Sequence, residues 1–232
     1  MEGTWSIGDA ITNGFERFKD NVGLVVGAMV LVFFVNMLTS IPGGLVQGIG
    51  QGLMSEMDSD MQLVAALVIG AVRFVFGILG FLVQTYLQLG ILQIFLKVVR
   101  GEGAAFGDLM VSGSVYLKGL IATFLTAIAV GIGIIFCIVP GIIVGLGLMF
   151  TQFIIVDQHD LGAIDAIKES WRLTDGHKVQ LFLFGLAGWF ITMLGFAACC
   201  VGVLATAPIV GLGLTTIYVS LVDDKSTSRP FG

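Results

Sequence analysis

Apolar residues in this chain fall into long runs, not into the three-to-four-residue rhythm of a helix with one face in water. The runs lie near Val22–Ile41, within Met61–Leu96, and at Gly119–Val139, Gly141–Val156, Val179–Ala198 and Val201–Val222. About 20 apolar residues carry a helix across a hydrocarbon layer of roughly 30 Å, so these runs predict six spans. The second run is the ambiguous one. Its 36 residues would make a helix about 54 Å long, too long for one upright crossing and barely enough for two with a turn. Basic residues decide. With one crossing there, Arg17, Lys19, Lys97, Arg100, Lys118, Lys168, Arg172, Lys178, Lys225 and Arg229 all fall on one side, and the other side receives Glu56, Asp58 and Asp60. By the positive-inside rule both termini are then cytoplasmic. The second span is expected to be one long helix that tilts, bends at Gly77 or Gly80, or extends beyond the bilayer.

Two segments between the runs change to a helical period. Ser6 and Asp9 have the spacing of a capping box, and Ile7, Ile11, Phe15, Phe18 and Val22 follow on one stripe. Leu161, Ile164, Ile167 and Trp171 repeat the design, with Gly176 placed to cap the end. Both are expected as amphipathic helices at the cytoplasmic interface. Asp9-Ala10-Ile11 with Gly14-Phe15 aligns with Asp165-Ala166-Ile167 with Ser170-Trp171, and a fainter echo lies at Asp108-Leu109 with Gly113 and Tyr116. The expected arrangement is three units, each an interfacial helix followed by a two-span hairpin, although short amphipathic helices also share letters by chance.

Composition agrees with membrane residence. Charged residues are 12% of the 232, 33 residues are glycine, and the mean hydropathy is +1.01, whereas a soluble domain carries roughly 25% charged residues. The net charge of −5 leaves no basic patch for nucleic acid. The fold class expected is all-α: a polytopic integral membrane bundle of six transmembrane helices with cytoplasmic amphipathic helices. Residues 1–232 form one membrane domain, with an amphipathic helix over 1–21, the bundle over 22–222 and a cytoplasmic tail over 223–232. The first span is expected to stay in the mature protein, because it runs into Thr39, Ser40, Ile41 and Pro42 and not into a small-residue cleavage site.

Arg73 is the only formal charge deep in a span, and a charge in hydrocarbon is a functional candidate because it costs about 2.5 kcal/mol or more. Gly77, Gly80, Gln84 and Gln88 follow it on the same helical face. This stripe has two readings: a polar cleft for a lipid headgroup or solute, or a packing face on which glycines let helices approach and the arginine reaches an interface or a carbonyl. No intramembrane acid accompanies Arg73, which weakens proton-coupled transport. The run Asp157-Gln158-His159-Asp160, with Asp165 and His177, matches no zinc spacing and reads as solvated loop and helix-end residues. No metal and no cofactor is expected. Cys137, Cys199 and Cys200 map to outer span ends, where a disulfide has the right compartment, although cysteine also serves as a small buried apolar residue. The remaining glycines, among them the Gly131-Gly133 and Gly211-Gly213 pairs, suit close helix packing.

Pro140-Gly141-Ile142-Ile143, then Asp157, then Ala163 to Thr174 with Ala166, Ser170 and Trp171, and Gly176 beyond, resemble a pattern in uncharacterised bacterial membrane proteins. The pattern looks like the membrane domain found ahead of the catalytic domain in some glycerophosphodiester phosphodiesterases, and like six-span relatives without it. The resemblance implies a bacterial inner-membrane protein and carries no catalytic residues onto this chain. The function expected is a non-enzymatic membrane module: a scaffold, accessory subunit or lipid-associated component, with membrane lipids and other membrane proteins or further copies of itself as partners. The alternative is a small transporter or channel using the Arg73 stripe. A lipid-modifying enzyme working through Asp157, His159 and Asp160 ranks below both.

Overall fold

The computed structural model describes residues 6–55, 57–197 and 201–227. Its elements are α1 (Ile7–Asp20), α2 (Val22–Met54), α3 (Ser59–Arg100), a 3-10 turn (Phe106–Leu109), α4 (Gly113–Phe136), α5 (Ile138–Leu148), α6 (Thr151–Asp157), α7 (Ala163–Thr174), α8 (Lys178–Ala197) and α9 (Val201–Thr227). No strand occurs among the described residues. Six stretches are long and apolar enough to cross a membrane, the fourth being α5 and α6 taken together. The chain is a multi-pass membrane protein.

It divides into two compact units, Val30–Gln88 and the remainder, Met1–Met29 with Leu89–Gly232. The smaller unit is a hairpin of α2 and the first part of α3. Met61–Leu96 lies in a single helix, as the basic residues predict. The first span is longer than the sequence suggests: α2 continues through Pro42 to Met54. A proline ends most helices because it removes a backbone donor. Here the Thr39 hydroxyl bonds the Val35 carbonyl (2.7 Å) and the Ser40 hydroxyl the Met37 carbonyl (2.8 Å), and the helix persists across this stretch. The two hairpin helices touch near their connecting turn, where a Cβ on Gly50 would meet Ile69 Cδ1 at 2.6 Å.

In the larger unit α1 packs on α9. Ser6 caps α1, accepting the Asp9 backbone N–H at 3.0 Å. The face that meets protein is Ala10, Gly14 and Phe18, while Phe15 and Val22 of the expected stripe are exposed. Small residues win that face because the backbones nearly touch: a Cβ on Gly14 would lie 2.6 Å from the Ile209 carbonyl oxygen and 2.8 Å from the Gly213 nitrogen. The same inversion recurs in α7, which buries Ala163, Ala166, Ser170, Leu173 and Thr174 and leaves Ile164 and Trp171 exposed. Gly176 follows α7 with φ +83°, the left-handed conformation expected past a helix end.

The reversal between the third and fourth spans falls at Cys137, in extended conformation, and not at Pro140-Gly141. Pro140 sits in the first turn of α5, where its missing N–H costs nothing, and Gly141 serves contact with α4: its added Cβ would meet the Ile134 nitrogen at 2.9 Å. Ahead of the middle hairpin, where the expected repeat calls for an interfacial helix, the chain has only the four-residue 3-10 turn. The core of this unit is Phe150, Ile154, Ile155, Leu173, Leu181, Leu212, Ile217 and Tyr218.

Gly14→Val is expected to lower the thermal stability of the detergent-solubilised protein, by about 1–3 kcal/mol of overpacking. Gly23→Val is expected to leave it unchanged, because an added Cβ there meets nothing within 4 Å. Thermal unfolding of the two variants side by side measures the difference.

Candidate functional site

The motif residues Asp157, Ala166, Ser170 and Trp171 are drawn together around an interruption in the fourth span. α5 stops at Leu148, Phe150 adopts φ −91° and ψ 0°, and α6 restarts at Thr151. In apolar surroundings the freed backbone groups must find partners within the protein. Ser170 supplies two of them, its hydroxyl donating to the Gly147 carbonyl (2.9 Å) and accepting the Phe150 N–H (3.2 Å). Thr174 reaches the same Gly147 oxygen at 3.3 Å, and the Thr151 hydroxyl bonds the Leu148 carbonyl at 2.8 Å. Ala166 is fully buried, and the Trp171 ring lies against Gly147, occupying the space a Cβ there would need. The Lys178 ammonium stands 4.0 Å from the centre of the Trp171 ring.

Asp157 ends α6 and accepts from two residues on other helices. Arg100 approaches it with two guanidinium nitrogens at 2.5 and 2.8 Å, and the Tyr218 hydroxyl donates at 3.0 Å. Tyr218 is itself fully buried, its ring 5.6 Å from that of Phe150 and 5.3 Å from that of Phe153. This carboxylate ties the ends of α3 and α6 to α9. Sequence reading singled out Asp157 but neither Arg100 nor Tyr218 as its partners, because no local spacing links residues 57 and 61 positions away. His159 and Asp160 are exposed, and His159 contributes its backbone carbonyl to Lys118 Nζ at 2.5 Å. Among the described residues no three His, Cys, Asp or Glu side chains are grouped to hold a metal. Cys137 is exposed with a free thiol, and Cys199 and Cys200 lie outside the described residues.

The Arg73 stripe lies in the hairpin unit. Arg73, Gly77, Gly80 and Gln84, with Phe76 and Phe81, form one wall of an open cleft of about 560 Å³, within the range of small-molecule sites (roughly 300–1,000 Å³). Gln88 lies outside its lining. The opposite wall is one face of α2: Asn36, Thr39, Ser40, Gly43, Gly44 and Gln47. Sequence reading missed this wall because it ended the first span at Pro42, although Asn36, Thr39 and Ser40 already stand at helical spacing within an apolar run. A Cβ added at Gly43, Gly44 or Gly77 meets nothing within 4 Å, and one at Gly80 meets only Thr39 Cγ2 at 3.8 Å. These glycines leave space open and do not draw helices together. Among the described residues Arg73 has no ion-pair or hydrogen-bond partner, nor do the amides of Asn36, Gln47 and Gln84.

Ser170→Ala removes the group that serves two backbone atoms and is expected to cost about 1–3 kcal/mol, read as a lower unfolding midpoint in detergent. A second expectation concerns acid. Lys97 Nζ bonds Asp108 at 2.6 Å and the Ala105 N–H bonds its other oxygen at 2.8 Å, which together hold the Asp108 carboxyl below the usual carboxylate range. A lowered folded value stabilises the fold above the unfolded value, about 3.9, and that contribution fades as pH falls through it toward the folded value. The stability difference between wild type and Asp108→Asn is therefore expected to be full at neutral pH and to shrink below about pH 4, measured by unfolding across a pH series.

Residues 110–222 match the model of a family described as a protein of unknown function (DUF975). No solved structure matches. Over 222 residues the chain is 28% identical to an uncharacterized protein of Mycobacterium bovis and to uncharacterized proteins of two Mycobacterium tuberculosis strains, covering 90% of this chain in each case. The chain spans 66% of the length of these curated relatives. The matches give no support to the phosphodiesterase side of the resemblance; what the chain is similar to, from the turn before α4 to the end of the sixth span, is a family of uncharacterised bacterial proteins.

Proposed function

We propose that this chain is a non-enzymatic membrane module, a scaffold or accessory subunit that assembles with other membrane proteins or with further copies of itself. Its place is a bacterial inner membrane, with both termini cytoplasmic, as the one-sided basic residues favour. The length and surface of the hairpin helices carry this reading. The 33 residues of α2 and 42 of α3 correspond to about 50 and about 63 Å of helix. A tilt of about 40°, the steep end of the observed range, lengthens the path through a 30 Å layer only to about 39 Å. The surplus is apolar: Leu45, Ile49 and Leu53 on α2, and Met61, Leu63 and Leu67 on α3, are each more than half exposed. Outside the hydrocarbon such a surface needs protein to cover it. The polar groups around the α5–α6 break support the same reading, since Asp157 and Ser170 are spent on holding helices together.

Gentle extraction from the native membrane, followed by intact-mass measurement, is expected to find the chain in fixed ratio with a second protein or with its own copies. Leu63→Ser combined with Leu67→Ser is expected to reduce that association several-fold. Partner-free single chains that move a solute across liposomes would overturn the proposal. The cleft favours a second reading, transport, for which flux would have to fall in Arg73→Ala and Gln84→Leu.

A further inference from the structure

The hairpin cleft has the chemistry of a binding site, independently of what the hairpin assembles with. Its one charge is the Arg73 guanidinium, its lining contains no carboxylate, and no described residue neutralises the cation. An uncompensated guanidinium in an apolar hairpin is costly unless an anion joins it, and its planar fork of N–H donors matches phosphate oxygens. The amides of Asn36, Gln47 and Gln84 add unspent donors around the same space. Thr39 and Ser40 differ from them: each hydroxyl proton is given to its own helix, so each oxygen faces a ligand as an acceptor. Phe76 and Phe81 complete the walls with apolar surface. Donors for an anion, acceptors for hydroxyls and an apolar flank together describe a phosphate ester that carries hydroxyl groups.

We propose that the cleft between α2 and α3 binds a phosphate ester that carries hydroxyl groups, with Arg73 as the anion anchor and the Thr39 and Ser40 oxygens receiving hydroxyls of the ligand. Such a group comes either as a lipid headgroup or as a soluble phosphoester, and Gly43, Gly44 and Gly77 keep the volume free for it. This inference stands apart from the assembly reading, which concerns the exposed apolar surface of the hairpin.

The test uses the full chain in phosphatidylcholine nanodiscs doped with phosphatidylglycerol, counting retained lipid by native mass spectrometry. Phosphatidylglycerol is expected to be retained about tenfold or more over phosphatidylcholine, and Arg73→Ala to lose about tenfold of that retention. Gly77→Leu projects into the cleft from a position where an added Cβ meets nothing within 4 Å, and is expected to lose retention likewise, whereas Gly23→Leu keeps it; unfolding midpoints check that all three variants are folded. In phosphatidylcholine-only discs, glycerol 3-phosphate is added as the soluble probe. A rise in the wild-type unfolding midpoint that Arg73→Ala abolishes, without selective lipid retention, supports the site and assigns it a soluble ligand. Equal retention of the two lipids with no response to glycerol 3-phosphate overturns the inference. So does retention unchanged in both Arg73→Ala and Gly77→Leu. Neither of these results touches the subunit ratio on which the assembly proposal depends.

Discussion

A backbone carbonyl inside an apolar layer has no water to turn to, and the larger unit is organised around meeting that demand at one place. Where the fourth span breaks between Leu148 and Thr151, α7 delivers Ser170 and Thr174 to the freed oxygen of Gly147, and Ser170 also takes the Phe150 N–H. The fixed position of α7 follows from this. So does its composition: the face turned inward carries Ala163, Ala166, Ser170 and Thr174 beside Leu173, and the Trp171 ring occupies the space that a Cβ on Gly147 would need. Asp157 then fastens the restarted helix to α3 and α9 through Arg100 and Tyr218.

Polar side chains are used in two ways. Around the break Ser170, Thr174 and Asp157 are consumed by partners on other helices. In the hairpin they are left over, with Arg73 and three amides facing an open space that glycines hold clear. Glycines at the two places differ as well. Gly14, Gly141 and Gly147 are required by contacts that a Cβ would break, whereas Gly43, Gly44 and Gly77 touch nothing.

Much of the fold was legible because hydrophobic run length and the sidedness of basic residues are direct physical consequences of a bilayer. The single long α3 and the Ser6 cap of α1 follow from those patterns and from local capping chemistry. The faces of α1 and α7 were legible only in part: Phe18 of the expected α1 stripe is buried, but the other large residues do not mark the face that meets protein. In water the large apolar residues of a helix mark its buried side; in a membrane protein small residues seek protein and large ones remain outside, so Phe15 and Trp171 are exposed while Gly14 and Ser170 are buried. The end of α2 was illegible because Pro42 is a stop signal in most contexts. The partners of Asp157 were illegible because distant residues meet only in three dimensions. The Arg73 stripe was visible as a face, but the open space in front of it depends on how far apart two helices stand, which no periodicity records.

That open space bears on how such a protein changes over generations. At Gly43, Gly44 and Gly77 a larger residue projects into emptiness and not into a neighbour, so the shape of the cleft can be altered one residue at a time while the packing of the helices stays as it is. At Gly14 or Gly147 the same change strikes backbone or an indole ring. At Gly43, Gly44 and Gly77 a change in what the cleft accommodates is thereby decoupled from the risk of unfolding.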